Sequence, residues 1–331
     1  MIRIHKNESP NRSLTDEELQ EIVIKTSFNQ YGDDEYKYLA KVYGDFYGLD
    51  PELVSFANGS DEWIQKCMLV LGNGPVMTFE PDFSMYEEYA NQLKRPIYKV
   101  DCNEDGSFDY VNTLAQIANI KPSFFIFSQP NNPLGMLHTD EFVQAAANLM
   151  QELNGYLIID EAYMEFAEQK AVRPEGEHVI VMRTLSKIHG LAGLRIGIVT
   201  SSSATMTLLN SIAHPYPINT LSINIAAYLF ENTTKLGTFM NHQRKLAGKL
   251  KDIFKKEISD VITVLPSQAN FVFTYGEDAL ELGKYIQKRG FQPRTYPDSS
   301  HPLLQKAVRY SIATDEQLTQ LESIIKEWRV G

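Results

Sequence analysis

The stretch from Thr184 to Gly197 reads TLSKIHGLAGLRIG and sets one lysine among apolar residues, glycines and hydroxyl groups. Lys187 is predicted to lie in a buried run, where its charged form loses solvation and its amine becomes a usable nucleophile. Thr184, Ser186 and Arg195 could together hold a phosphate, because a guanidinium group donates several hydrogen bonds to anionic oxygens. The alternative is a glycine-rich turn between two strands with a solvated lysine.

The rest of the chain alternates short apolar strands with helices, which predicts a mainly parallel α/β sheet covered by helices on both faces. In such sheets, ligands bind at the carboxyl ends of the strands. The residues suited to chemistry fall at those predicted ends: Gly59, Ser60, Asn132, Asp160 and Lys187. This region is assigned to a large domain of residues 26–221. The N-terminal arm, 1–25, and the remainder, 222–331, are assigned to a smaller α+β domain.

Composition narrows the class of protein. A chain of 331 residues suits two domains, or one large α/β domain with an appendage. A content of 43% hydrophobic and 22% charged residues is typical of a globular protein. A net charge of −11 argues against a nucleic-acid partner. Two cysteines form no metal or disulfide pattern, and no apolar run suits a signal segment or a membrane span. We therefore expect a soluble, cytoplasmic protein with no metal site and no membrane partner.

A reactive lysine beside a phosphate grip is what a pyridoxal-phosphate site requires, and four other residues could complete such a site. Asp160 could keep the pyridine nitrogen protonated, although an aspartate after a strand is ordinarily a helix or turn cap. Tyr163 and Asn132 could hold the phenolic oxygen, although they could equally pack or form a turn. Phe83 could stack on the ring, although a lone phenylalanine is more often part of the core.

A further anion contact is predicted where a strand turns into a helix at Asn58-Gly59-Ser60-Asp61. The free N–H groups of a helix N-terminus bind anions, so this turn could contribute to the phosphate grip. The alternative, which the segment favours when taken alone, is that Ser60 or Asp61 simply caps the helix.

Three motifs, in this order along the chain, carry a resemblance to a known family: PNNPLG at 130–135, DEAY at 160–163, and SK at 186–187 followed by GLRIG at 193–197. Together they resemble the fold type I, class I/II pyridoxal-phosphate-dependent aminotransferases along nearly the whole chain. Six shorter segments are most similar to histidinol-phosphate aminotransferases: NESP at 7–10, NGSDE at 58–62, FSMY at 83–86, EAYMEF at 161–166, PYP at 215–217 and ANF at 269–271.

The resemblance implies a role for each matching residue. Lys187 would be the Schiff-base lysine and would move the substrate Cα proton, and Asp160 would pair with the pyridine nitrogen. Asn132 and Tyr163 would hold the phenolic oxygen of pyridoxal 5′-phosphate, with Phe83 stacked on its ring. The residues that would hold the cofactor phosphate are Gly59, Ser60, Asp61, Thr184, Ser186 and Arg195.

The same resemblance implies a substrate site and a partner subunit. Arg309 would bind the anionic group of the substrate, and Arg294 is a second candidate that could instead be a surface strand residue. Tyr216 would touch the substrate side chain or pack within its own loop. Tyr31 would reach the cofactor phosphate of the partner subunit, which implies a homodimer with shared sites.

Three features depart from the family pattern. Leu134 stands where the family usually has the threonine of Asn-Pro-Thr-Gly, Ala313 stands where it usually has glycine, and the N-terminal arm is short. The change at Leu134 is expected to be harmless, because Asn132 would make the cofactor contact. The three features bear on substrate identity and not on cofactor binding.

The reaction implied by the resemblance is transfer of an amino group from histidinol phosphate to 2-oxoglutarate in histidine biosynthesis. An aromatic or broad amino-acid aminotransferase would use the same residues, with Arg309 on a carboxylate. A threonine-phosphate decarboxylase would catalyse a different reaction on a closely similar scaffold. A non-catalytic protein that keeps the fold is disfavoured, because Lys187, Asp160, Arg195 and Arg309 are all present.

Overall fold

The computed structural model describes residues 1–330, and they form two β-sheets and the helices that surround them. The strands are β1 (Ile2–Ile4), β2 (Val54–Asn58), β3 (Val76–Glu80), β4 (Ile97–Asp101), β5 (Phe124–Ser128), β6 (Tyr156–Asp160), β7 (Val179–Thr184), β8 (Ile196–Thr200), β9 (Thr263–Leu265), β10 (Phe271–Tyr275), β11 (Phe291–Thr295) and β12 (Ala307–Ser311). The helices are α1 (Asp16–Lys25), α2 (Asp33–Tyr47), α3 (Gly59–Val70), α4 (Met85–Gln92), α5 (Tyr110–Ile120), α6 (Asp140–Glu152), α7 (Ser203–Asn210), α8 (Thr220–Glu231), α9 (Thr233–Ile258), α10 (Glu277–Lys288), α11 (Pro302–Gln305) and α12 (Asp315–Val330). None of these helices has the length and apolarity needed to cross a membrane.

Seven strands form the larger sheet, in the order β2-β8-β7-β6-β5-β3-β4. Strands β7, β6, β5, β3 and β4 pair in parallel, and β8 runs antiparallel to both of its neighbours. Phe125 and Phe127 of β5 pack against helices α5 and α6 on one face, while Phe124 and Ile126 pack against α3 and α4 on the other. Burial on both faces explains the continuous apolar run of β5. The prediction of a mainly parallel sheet covered by helices is confirmed.

Five strands form the smaller sheet, in the order β1-β11-β12-β10-β9. Here β1 pairs in parallel with β11, so the N-terminal arm adds a strand to a sheet built from the C-terminal part of the chain. Its three residues are too few for the sequence to reveal a strand, and the pattern does not predict β1. The domain limits at residues 26 and 221 stay a prediction.

The two backbone segments that begin α3 and β8 touch each other directly. Strand pairing sets Ala57 opposite Gly197, and a Cβ atom on Gly197 would lie 2.2 Å from the carbonyl carbon of Gly59 and 2.3 Å from the Ser60 nitrogen. Only glycine leaves room for this approach, because the atoms in the way belong to the backbone. The start of α3 is therefore pressed against the end of the loop that carries Lys187.

We expect Gly197→Ala to destabilise the protein by about 1–3 kcal/mol or more, since the added methyl group forces two backbone segments apart. Gly193→Ala is the matched control from the loop that precedes β8, because a Cβ atom there would meet no other atom within 4 Å. Denaturant unfolding of both variants and the wild type measures the difference. Equal free energies of unfolding for the two variants would contradict the close packing described here.

Candidate active site

A cavity of about 330 Å³ opens at the carboxyl ends of strands β5, β6 and β7. Asp160 and Thr184 are the last residues of β6 and β7, and Lys187 follows in the loop after β7. Ten of the residues predicted to contact the cofactor line this cavity: Ser60, Asp61, Phe83, Asn132, Asp160, Tyr163, Thr184, Ser186, Lys187 and Arg195. Segments that are far apart in the sequence thus meet at one edge of the sheet, as parallel topology requires.

Lys187 reaches the cavity because its neighbours take the buried positions. Leu185 and Ile188 are fully buried in the core, whereas the Lys187 side chain is half-buried. Its Nζ donates a hydrogen bond to the backbone carbonyl of Lys6 at 3.3 Å and lies 5.5 Å from the centre of the Tyr163 ring. The predicted burial of this apolar run is therefore correct for the flanking residues and wrong for the lysine, whose amine is open to a ligand.

Asp160 is a buried carboxylate whose two hydrogen-bond partners are both neutral groups. Its Oδ2 accepts a hydrogen bond from the Tyr86 hydroxyl at 2.9 Å, and its Oδ1 accepts one from the Ala162 N–H at 3.1 Å. Burial raises the pKa of Asp160 to about 6, and its two hydrogen bonds and the charge of Lys187 oppose that rise. A carboxylate stripped of water in this way is stabilised by a cationic N–H group placed against it.

Two hydrogen-bond donors meet at the cavity wall, and a neighbour holds each of them in orientation. The Tyr163 hydroxyl accepts a hydrogen bond from Asn7 Nδ2 at 2.9 Å, so its own proton is free for another acceptor. The Asn132 carbonyl oxygen accepts from Arg309 Nη1 at 2.5 Å, which leaves the amide NH₂ group of Asn132 as a donor. Within residues 1–330 neither donor has an acceptor, so both are available to an oxygen in the cavity.

The opposite end of the cavity is built to hold an anion. Helix α3 begins at Gly59 without a side-chain cap, so the alternative in which Ser60 or Asp61 caps it is wrong. Arg195 has a left-handed backbone conformation with φ of 56°, and its Nη2 lies 2.9 Å from Asp61 Oδ2. The hydroxyls of Thr184 and Ser186 lie 2.9 Å apart in the facing loop.

Gly59 lets the arginine lie across the start of the helix. A Cβ atom on Gly59 would stand 2.4 Å from Arg195 Nη2, inside the space that the guanidinium group occupies. Hydroxyl groups, a guanidinium group and an open helix N-terminus are together the donors that a phosphate needs.

A second cavity of about 680 Å³ adjoins the first and shares Lys6, Phe83, Asn132, Tyr163 and Lys187 with it. Both arginines predicted for the substrate line this second cavity. They stand opposite each other on β11 and β12, since strand pairing sets Arg294 against Arg309. Arg309 is buried and donates to Asn132 and to the His5 carbonyl, whereas Arg294 is exposed.

Tyr31 and Tyr216 lie outside both cavities of their own chain. Their rings stack with centres 4.4 Å apart, and the Tyr216 hydroxyl donates to Asp33 at 2.8 Å. Tyr31 is 75% exposed, so its ring is free to meet another molecule. The predicted contacts of Tyr216 with substrate and of Tyr31 with a cofactor phosphate stay predictions.

Sequence reasoning missed several residues that the structure brings to the site. Tyr86 hydrogen-bonds Asp160, and Asn7 hydrogen-bonds Tyr163, while Lys6 and Glu8 line the first cavity. Tyr86 and Asn7 lie inside the motifs FSMY and NESP, and those motifs are the sequence signal that could have placed them at the site. Their distance along the chain from the lysine gave no indication of what they contact.

The residues present fit pyridoxal 5′-phosphate. The anion-binding end suits its phosphate, the two free donors suit its phenolic oxygen, and the desolvated carboxylate of Asp160 suits its protonated pyridine nitrogen. Lys187 lines the same cavity, and its amine is accessible there.

Comparison with known proteins supports a site for this cofactor. Residues 5–325 match the family model for aminotransferase class I and II. A histidinol-phosphate aminotransferase of Hydrogenobaculum sp. (strain Y04AAS1) is 31% identical over 334 residues, which cover 98% of this chain and 92% of that protein.

Two solved structures show the same fold. The histidinol-phosphate aminotransferase from Sinorhizobium meliloti in complex with pyridoxal-5′-phosphate has a TM-score of 0.83 at 23% identity, covering 99% of this chain and 90% of that one. The L-threonine-O-3-phosphate decarboxylase from Porphyromonas gingivalis has a TM-score of 0.78 at 17% identity, and the match covers 100% of both chains. Likeness of fold thus extends across two reactions, but the family match and the 31% identity are specific, and they identify the chain as a member of the aminotransferase class I and II family.

Proposed function

We propose that this chain is a pyridoxal-phosphate-dependent aminotransferase that transfers the amino group of histidinol phosphate to 2-oxoglutarate. The observation that carries the proposal is the first cavity, which is lined by an accessible lysine, a desolvated carboxylate and a set of residues suited to a phosphate. The family match supports the reaction class, and the 31% identical relative named histidinol-phosphate aminotransferase supports the donor.

The protein would position the cofactor through three groups of side chains. Asp160 would hold a proton on the pyridine nitrogen, because its buried carboxylate would be stabilised by that positive charge. Tyr163 and Asn132 would donate hydrogen bonds to the phenolic oxygen, and Ser60 and Arg195 would belong to the set that holds the phosphate. When bound, pyridoxal 5′-phosphate supplies an electron sink for the electron pair left on the substrate carbon after deprotonation.

Lys187 would carry the proton at the reacting carbon. Its Nζ is placed at the boundary of the two cavities, since Lys187 lines both. The Lys6 carbonyl accepts a hydrogen bond from this amine and so limits the orientations that the side chain can adopt. A lysine in this position can take a proton from the substrate Cα and then give a proton to a neighbouring atom of the reacting group, without leaving the site.

The second cavity would accept the donor. Arg294 and Arg309 provide two positive charges on facing strands, and a guanidinium group can hold a phosphate oxygen pair with two hydrogen bonds. Histidinol phosphate carries a phosphate but no carboxylate, so these arginines would recognise its phosphate. The Arg309 bond to Asn132 links the substrate end of the site to the cofactor end.

The purified protein should transaminate histidinol phosphate with a kcat/KM about 100-fold or more above that for phenylalanine, because phenylalanine would leave the arginines without a phosphate. Glutamate formation from 2-oxoglutarate is the measurement. Preference for phenylalanine would indicate an aromatic or broad aminotransferase. Carbon dioxide released from O-phosphothreonine without an oxo acid would indicate a decarboxylase and overturn the proposal.

The same assay tests the role of Arg309. Arg309→Lys should lower kcat/KM for histidinol phosphate about 10- to 100-fold, the loss expected for a hydrogen bond to a charged group. Arg289→Lys is the matched control, because Arg289 is a surface residue paired with Glu327. An equal effect of both substitutions would remove Arg309 from the substrate site.

We also propose a homodimer in which each site uses Tyr31 of the other subunit. The support is a run of exposed apolar and aromatic side chains on and between α1 and α2, where a soluble chain ordinarily exposes few. Its members are Val23, Ile24, Phe28, Tyr31 and Tyr38, with Tyr216 stacked on Tyr31.

We place the enzyme in the cytoplasm, since Cys67 and Cys102 are free thiols, as expected in a reducing compartment.

A subunit-mixing experiment tests the shared site. Lys187→Ala and Tyr31→Ala should each be strongly impaired alone, yet a mixture refolded together should regain about a quarter of wild-type activity, because each mixed dimer contains one intact site. Activity of the mixture equal to the mean of the two variants would mean that Tyr31 acts within its own subunit or not at all.

A further inference from the structure

The N-terminal arm contacts three functional side chains with three consecutive residues. The His5 carbonyl accepts from Arg309 Nη2 at 2.9 Å, and the Lys6 carbonyl accepts from Lys187 Nζ at 3.3 Å. The third contact is of another kind, because Asn7 uses its side chain to donate to the Tyr163 hydroxyl at 2.9 Å. The arm therefore forms part of the wall of the site.

Asn7 is held in a single orientation. Its backbone N–H donates to Ser311 Oγ at 3.0 Å, so the Ser311 hydroxyl must use its proton elsewhere, and it donates to Asn7 Oδ1 at 2.6 Å. The backbone carbonyl of Asn7 accepts from Asn270 Nδ2 at 3.1 Å. With Oδ1 engaged as an acceptor, the amide NH₂ group is the part that must face Tyr163.

The backbone of Asn7 is fitted to this arrangement. Its φ of 56° lies in the left-handed region, which asparagine tolerates better than most residues with a side chain. The side chain is 1% exposed, so water does not compete for its hydrogen bonds. An unusual conformation held by four buried hydrogen bonds indicates a position that is constrained by the neighbouring site.

We propose that Asn7 is a positioning residue that sets the direction of the Tyr163 proton. A tyrosine hydroxyl has one proton, and a donor on its oxygen prevents that proton from pointing back at the donor. The donated bond also polarises the hydroxyl, which strengthens the hydrogen bond that Tyr163 gives in turn. The proton is thereby directed at the phenolic oxygen of the cofactor and stabilises its anionic form.

Ser311 extends this chain to the substrate strand. It lies two residues after Arg309 on β12, so the two side chains leave the strand on the same face. The sequence of donors runs from Ser311 to Asn7 and from Asn7 to Tyr163, and each bond depends on the one before it.

The proposal rests on the proposed function, and its test reads the cofactor spectroscopically and not through activity. Titration of the visible absorption band of the purified holoenzyme with pH gives a midpoint for loss of the cofactor proton. Loss of a donor to the phenolic oxygen raises that midpoint, because the deprotonated form loses stabilisation. Tyr163→Phe should raise it most.

Asn7→Gly should also raise the midpoint, by less than Tyr163→Phe, and glycine adopts the required φ without strain. In the Tyr163→Phe background, Asn7→Gly should leave the midpoint unchanged, since the hydroxyl through which it acts is gone. Ser9→Ala is the matched control from the arm, because Ser9 contacts Asn11 and Gln243 but not Tyr163.

An unchanged midpoint in Asn7→Gly would overturn the proposal, and so would an equal shift with and without the Tyr163 hydroxyl. Asn7→Asp keeps the shape of the side chain and turns the donor into an acceptor, so its midpoint should rise even if Asn7→Gly unfolds. An unchanged midpoint in Asn7→Asp would also overturn the proposal. Absence of a bound cofactor band in the wild-type protein, after incubation with pyridoxal 5′-phosphate and removal of the excess, would instead contradict the proposed function.

Discussion

The contact between the Gly197 backbone and the Gly59–Ser60 peptide is the constraint on which the site depends. It presses the start of α3 against the end of the Lys187 loop, and no side chain could occupy the space between them. Arg195, one residue before β8, is thereby carried across the helix N-terminus. An anion-binding end made from two distant segments follows from this packing of one strand against one helix.

Polar groups at the site are held by partners that decide their orientation. Arg309 engages one end of the Asn132 amide, and Asn7 engages the Tyr163 hydroxyl, so each side chain is left with a donor toward the cavity. Asp160 is buried with neutral partners, and the resulting cost of its charge favours a cationic ligand. Preorganised donors and a desolvated acceptor need little rearrangement when a ligand binds, which is the usual basis of strong electrostatic stabilisation.

The sequence predicts the fold and most of the cavity because both follow from local signals. Apolar strands alternate with helices, and parallel topology then gathers Asp160, Thr184 and Asn132 at one edge. Long-range partners have no such signal: the Tyr86 bond to Asp160 and the Asn7 bond to Tyr163 join residues 74 and 156 positions apart. The half-buried state of Lys187 was missed for a related reason, since an apolar run does not reveal which of its side chains turns outward.

We propose that Lys187 carries the cofactor at the edge of this sheet, and the site of covalent attachment is the most direct measurement of this role. The protein is reduced with borohydride in the presence of pyridoxal 5′-phosphate, digested, and analysed by mass spectrometry. We predict one adduct, on the peptide that contains Lys187, and none in Lys187→Ala. Two other lysines, Lys6 and Lys99, also line these cavities. An adduct on either of them, or no adduct at all, would contradict the role proposed for Lys187.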